Sequence, residues 1–129
     1  LAWANRPEVG NRFFLFEDKG EQRYTIVGEK ELKVYGHCSY LPGQEWILND
    51  TYPDKNRQTE LYLYNPATKE KIVLGRIFMD PQYTGEWRVD LHPRQTRDGK
   101  KIIVDCPVGE SGRQMLMLDI RKLKMFEAQ

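Results

Sequence analysis

The chain has 129 residues, one domain's worth, with 40% apolar, 12% aromatic and 30% charged residues, which is the composition of a folded domain rather than a disordered one. Twenty basic residues against 19 acidic ones leave no basic field to draw nucleic acid or anionic lipid, and no apolar run approaches the roughly 20 residues of a membrane helix. Cys38 and Cys106 lack C-x-x-C spacing, which excludes a zinc ribbon or thioredoxin motif and leaves the compartment open.

From the N-terminus, Leu-Ala-Trp-Ala has neither a methionine nor the regions of a signal peptide, and reads as the start of a mature or excised piece. Apolar residues then come in runs of four to six, rich in aromatic and β-branched types and separated by Gly, Pro, Asn and Asp, which predicts strands. Only Ile120 to Phe126 leaves room for a helix. Phe13-Phe-Leu-Phe-Glu17, Leu61-Tyr-Leu-Tyr-Asn65 and Met115-Leu-Met-Leu-Asp119 repeat one pattern at nearly even intervals, each after a loop that starts at a proline (Pro7, Pro53, Pro107). Gly-terminated strands, Arg23 to Gly28 and Lys71 to Gly75, follow the first two copies.

Between these copies lie two histidine-bearing hairpins. In the second, Val89 and Leu91 alternate with polar residues, and Asp98-Gly99 leads into Ile102-Ile-Val104, a type I′ turn signal in which both central residues need φ > 0. The first runs from Gly36 to Pro53. With a one-residue gap, His37 aligns with His92, Gly43 with Gly99, and Trp46-Ile-Leu48 with Ile102-Ile-Val104. Four short strands at a period near 50 predict β-propeller blades. The fold class expected is thus all-β, a partial propeller of about two and a half four-stranded antiparallel blades. Its divisions are a blade end at 1–28, a full blade at 34–78 and a near-complete blade at 87–119. Two and a half blades cannot close a ring, so the chain reads as the C-terminal part of a larger propeller whose remaining blades complete it, with self-association as the alternative.

His37-Cys-Ser-Tyr-x-Pro-Gly-x-x-Trp46, Asn49-Asp-Thr-Tyr-Pro-Asp54 and Asp90-Leu-His-Pro-Arg-x-x-Arg-Asp-Gly-Lys100 resemble the WD-like, Tol-type propeller repeats. More narrowly, they resemble secreted bacterial propellers related to oligogalacturonate lyase. That resemblance covers roughly residues 34–119 and implies a periplasmic or extracellular protein. It also implies a divalent metal (Mn, Ca or Mg) on strand histidines that acidifies a uronate α-carbon for β-elimination. Only His37 and His92 match here, and the family's Gln/His cluster does not.

In antiparallel strands the start of one lies beside the end of the next, so one rim should gather His37, His92, Asp50, Tyr52, Asp105 and the 79–87 loop. The metal set expected is His37, His92 and Asp90, and the catalytic pair His92 and Arg94. Tyr83 and Trp87 are candidates to stack on a sugar ring, and Arg57 and Arg88 to pair with its carboxylate. Each has a plainer reading. The histidines can bond neighbouring strands, Asp50 and Asp105 can cap turns, and Trp46, Tyr62 and Tyr64 can serve packing between blades. Cys38 and Cys106 read first as small buried residues, then as an inter-blade disulfide. An acidic oligosaccharide or a protein is the partner expected, and a non-catalytic binding module or purely structural repeats are the alternatives.

Overall fold

The computed structural model describes residues 1–21 and 23–123, among which there is no α-helix. The all-β class expected from the sequence is what the structure has. Its strands form three antiparallel sheets, each a meander of sequential neighbours. The first joins β1 (Ala2–Arg6), β2 (Gly10–Phe16) and β3 (Tyr24–Val27). The second joins β4 (Ser39–Tyr40), β5 (Ile47–Asp50), β6 (Gln58–Asn65) and β7 (Glu70–Phe78). The third joins β8 (Arg94–Gln95), β9 (Lys101–Pro107) and β10 (Arg113–Asp119).

The unbroken apolar runs follow from two-sided burial. Successive side chains of a strand point to opposite faces, so a strand covered on both sides needs apolar residues at every position. In β6, Leu61 and Leu63 pack with Leu48, Ile102 and Val104 between the second and third sheets. Tyr62 and Tyr64 pack with Phe13, Val27 and Ile47 between the first and second. All four are at most 1% exposed, and burying each contributes about 1.5–3 kcal/mol. The same motif in β10 meets a different fate, because Met115, Leu116 and Met117 are 69%, 41% and 60% exposed on the outer strand of their sheet. Trp46 is buried in the core, as is Cys106; Cys38 is half-buried against the other cluster, and both thiols are free.

The two histidine hairpins share one register without a gap, correcting the alignment expected. Ser39 pairs with Leu48 and Arg94 with Ile103, so one constant offset, that from Ser39 to Arg94, relates every position of the first hairpin to its counterpart in the second. Leu41 to Trp46 and Thr96 to Lys101 then close equivalent four-residue loops. Gly99 is therefore matched by Gln44, not Gly43, and both adopt left-handed backbone, with φ of 67° and 62°. Nor is the second turn type I′. The Gly99 N–H donates to the Thr96 carbonyl, putting Arg97 and Asp98 at the turn's centre, and only Gly99 has positive φ. Asp98 instead accepts from the Thr96 hydroxyl and the Lys100 N–H, a local bonding pattern that replaces the second left-handed residue. Residues 88–93 are irregular rather than strand, although Val89 and Leu91 are buried as their alternation implies. Of the stretch considered for a helix, Ile120 to Leu123 form a turn and the rest lies outside the described residues.

Candidate functional site

The constant offset between the hairpins brings both histidines to one rim. Each stands two residues ahead of its short strand, β4 or β8, and the ring centroids are 4.2 Å apart. His37 is half-buried and His92 exposed, the latter at φ 39°, an uncommon value that histidine tolerates better than most residues. One ligating atom each from His37, His92 and Asp90 fall within 4.8 Å of one another.

What surrounds the two rings differs. Asp50, at the end of β5, is 1% exposed and turns its carboxylate onto His37. Oδ1 accepts the His37 backbone N–H at 2.6 Å, and Nδ1 of the ring lies 3.2 and 3.1 Å from Oδ1 and Oδ2. Asp105, the counterpart of Asp50, has another task. It takes a bidentate pair from Arg94 at 2.9 Å per bond, while its own N–H donates to the Leu91 carbonyl. The Arg94 guanidinium holds the Asp105 carboxyl below the usual range, and that pairing raises Arg94 in turn.

Close approach of the chain makes this possible. A Cβ added at Gly36 would lie 1.8 Å from the Asp50 carbonyl oxygen and 2.7 Å from Asn49 Oδ1. Only a glycine lets the segment before His37 lie against the end of β5.

Tyr35, Tyr52 and Arg88 complete the rim. The two tyrosine rings stack at 5.2 Å, His37 lies 5.7 Å from Tyr52, and the Arg88 guanidinium sits 5.8 Å over the Tyr52 ring. Burial, and then the Asp90 carboxylate, push the Tyr52 phenol above its ordinary value, so it stays neutral. Arg88 Nε donates to Asp90 Oδ2 at 2.9 Å. Asp90 and His92 open onto a cleft of about 970 Å³, also lined by Arg88, Asp105, Arg113 and Gln114.

The expected residues thus divide. His37, His92, Asp90 and Arg88 are brought together, and Arg94 stands one residue pair away through Asp105. Arg57 does not join them. Its Nε donates to the Met79 carbonyl and its Nη2 to those of Asp80 and Tyr83, so it clamps the 79–87 loop. Tyr83 is half-buried against the core. Trp87 is 77% exposed on a 3₁₀ turn (Gly85–Trp87), and its carbonyl accepts from Arg113. Sequence reasoning missed Tyr35 and Arg113. The offset would have found the first, since Tyr35 is the counterpart of Asp90, whereas Arg113 follows only from the fold of the loop.

A divalent cation fits the donor set. Two imidazoles and a carboxylate are a mixed nitrogen and oxygen set suited to a first-row cation, and Asp90 Oδ1 stays available while Oδ2 takes Arg88. No family model matches the chain, and neither a curated protein nor a solved structure matches it.

Proposed function

We propose that this rim binds an acidic saccharide through a divalent cation held by His37, His92 and Asp90, on a body built of β-propeller blades. The observation that carries it is the convergence of those three ligating atoms within 4.8 Å, from two hairpins well separated in sequence. Of the cations expected, Mn²⁺ suits two imidazoles best, because Ca²⁺ and Mg²⁺ prefer all-oxygen shells. The cation would supply positive charge for a uronate carboxylate. Arg88, which spends only Nε on Asp90, keeps its terminal nitrogens for the same group. Trp87, exposed beside the cleft, offers an apolar face to a sugar ring.

Propeller blades are supported by three meanders in chain order, packed so that the middle sheet is covered on both faces. Further blades, from a longer chain or from a second copy, would cover the exposed apolar residues of β10. An exported location, periplasmic or extracellular, rests on the resemblance to secreted propellers alone.

A second reading, β-elimination, is favoured by His92, whose ring is exposed and, among the described residues, has no carboxylate bonded to it, unlike that of His37. In this reading the cation would rest on His37 and Asp90, and His92, as the base, takes the proton α to the uronate carboxylate. The electron pair becomes a C=C bond as the β-carbon–oxygen bond breaks, and the departing oxygen takes a proton from solvent. Arg94 acts at a distance in this scheme, keeping Asp105 ionised near the His92 ring.

Both are tested by measuring oligogalacturonate binding with Mn²⁺ and after a chelator, while following the ultraviolet absorbance of an unsaturated uronate. Binding should require the cation and fall at least about tenfold in a folded His37→Ala/His92→Ala variant. Binding that survives the chelator unchanged, or none under either condition, overturns the proposal. Product absorbance decides between binding and elimination.

A further inference from the structure

The two imidazoles are held in unequal ways, and the difference assigns a role to a residue outside the cation set. Asp50 is buried and, as a carboxylate, can only accept hydrogen bonds. Both of its oxygens lie within 3.2 Å of His37 Nδ1, so a neutral ring is stable there only with its proton on Nδ1. Its lone pair is then on Nε2. The counterpart of Asp50, Asp105, is occupied by Arg94 and makes no bond to the His92 ring. From this geometry we propose that Asp50 is a positioning residue that fixes His37 in the Nδ1–H tautomer and aims its Nε2 lone pair into the rim, while His92 is left free to adjust.

Three features of the chain serve this arrangement. The bond from the His37 backbone N–H to Asp50 Oδ1 anchors the residue at both its main chain and its ring. Gly36 lets the two segments touch, since any Cβ there meets the Asp50 carbonyl. Finally, the buried Asn49 beside Asp50 bonds the Tyr62 hydroxyl at 2.7 Å, so its amide does not compete for the imidazole. A carboxylate behind a ligating imidazole also makes the ring more basic toward a cation. That consequence rests on the reading of His37 as a cation ligand; the tautomer itself does not.

The test is ¹⁵N NMR of the histidine rings in metal-free protein at about pH 8, above the ordinary histidine value. In the native chain, His37 should show a protonated Nδ1 and an unprotonated Nε2. Asp50→Asn keeps an oxygen for the His37 N–H but presents an amide N–H₂ to Nδ1, so the ring should invert to the Nε2–H tautomer. Asp105→Asn should leave His37 unchanged. Mn²⁺ affinity of Asp50→Asn should fall about 10–100-fold. A native His37 that carries its proton on Nε2 overturns the proposal without any variant, and so does an Asp50→Asn ring that does not invert or an Asp105→Asn ring that does. If the tautomers behave as stated and native protein still binds no Mn²⁺, the cation reading falls and the positioning role stands.

Discussion

Gly36→Ala is the sharpest structural perturbation the rim offers. The new methyl would sit 1.8 Å from the Asp50 carbonyl oxygen, far inside the 3.0 Å below which real Cβ atoms essentially never come. The atoms it meets belong to the backbone at Asp50 and to the buried Asn49 side chain, which cannot swing away. Overpacking of this kind costs about 1–3 kcal/mol. Separating the two segments also weakens the 2.6 Å bond from the His37 N–H to the Asp50 carboxylate, a charge-assisted bond that contributes about 1.5–3 kcal/mol. The loss of glycine's freedom in the unfolded chain returns only about 0.4–1 kcal/mol. The net expectation is a loss of about 2–5 kcal/mol, a drop in melting temperature on the order of 10–20 °C for a chain of this size. Urea and thermal unfolding followed by far-ultraviolet circular dichroism measure it. Gly43→Ala is the control: φ there is 87° but nothing among the described residues lies within 4 Å, so only the backbone conformation resists, at a cost of about 1–2 kcal/mol. A Gly36→Ala variant whose stability stays within about 0.5 kcal/mol of the native protein, the range of an ordinary surface substitution, would refute the close approach.

Gly99→Val should lower the melting temperature, because φ is 67° and the added Cβ would lie 2.8 Å from the Pro42 ring; an unchanged transition would count against the turn geometry. Tyr62→Phe removes the acceptor of the buried Asn49 amide and should cost about 1–3 kcal/mol in urea titration, whereas a neutral effect would mean that amide finds another partner. For the Arg94–Asp105 pair, the folded carboxyl is depressed below its unfolded value. Its contribution is therefore present above the ordinary carboxylate value, about 3.9, and is lost as pH falls through the folded value. Arg94→Met should flatten that acid limb of stability against pH, and a limb of unchanged slope would sink the assignment. Asp105 is partly exposed, so the effect is small.

Much of this architecture was legible because burial on two faces writes itself into composition. Leu61-Tyr-Leu-Tyr64 carries no polar position, and a strand between two packed sheets is the arrangement that needs none. The same logic overreached in β10, where Met115-Leu-Met-Leu118 reads identically yet only Leu118 packs against the core and Met115 to Met117 stand in solvent. An apolar run reports what a strand can pack against, not whether a neighbour is present. The gap placed in the hairpin alignment came from matching glycine to glycine. Left-handed backbone at the third loop position is what the two loops share, and Gln44 adopts it there without being glycine. The rim residues were found through the hairpin register, which puts strand starts beside strand ends. Arg57 was misread because a side chain's partners depend on loop carbonyls that no spacing rule locates. Asp50's grip on His37 was invisible for the same reason, although the spacing from His37 to Asp50 recurs from His92 to Asp105.

Elemental analysis of the purified chain after exposure to Mn²⁺ and removal of excess, with the mass in solution measured on the same sample, tests the central claim most directly. One equivalent of cation per rim in the native protein, and none in a folded His37→Ala/His92→Ala variant, is the predicted result. Native protein without bound cation, or a double variant that retains it, would contradict the account and return both histidines to the architecture.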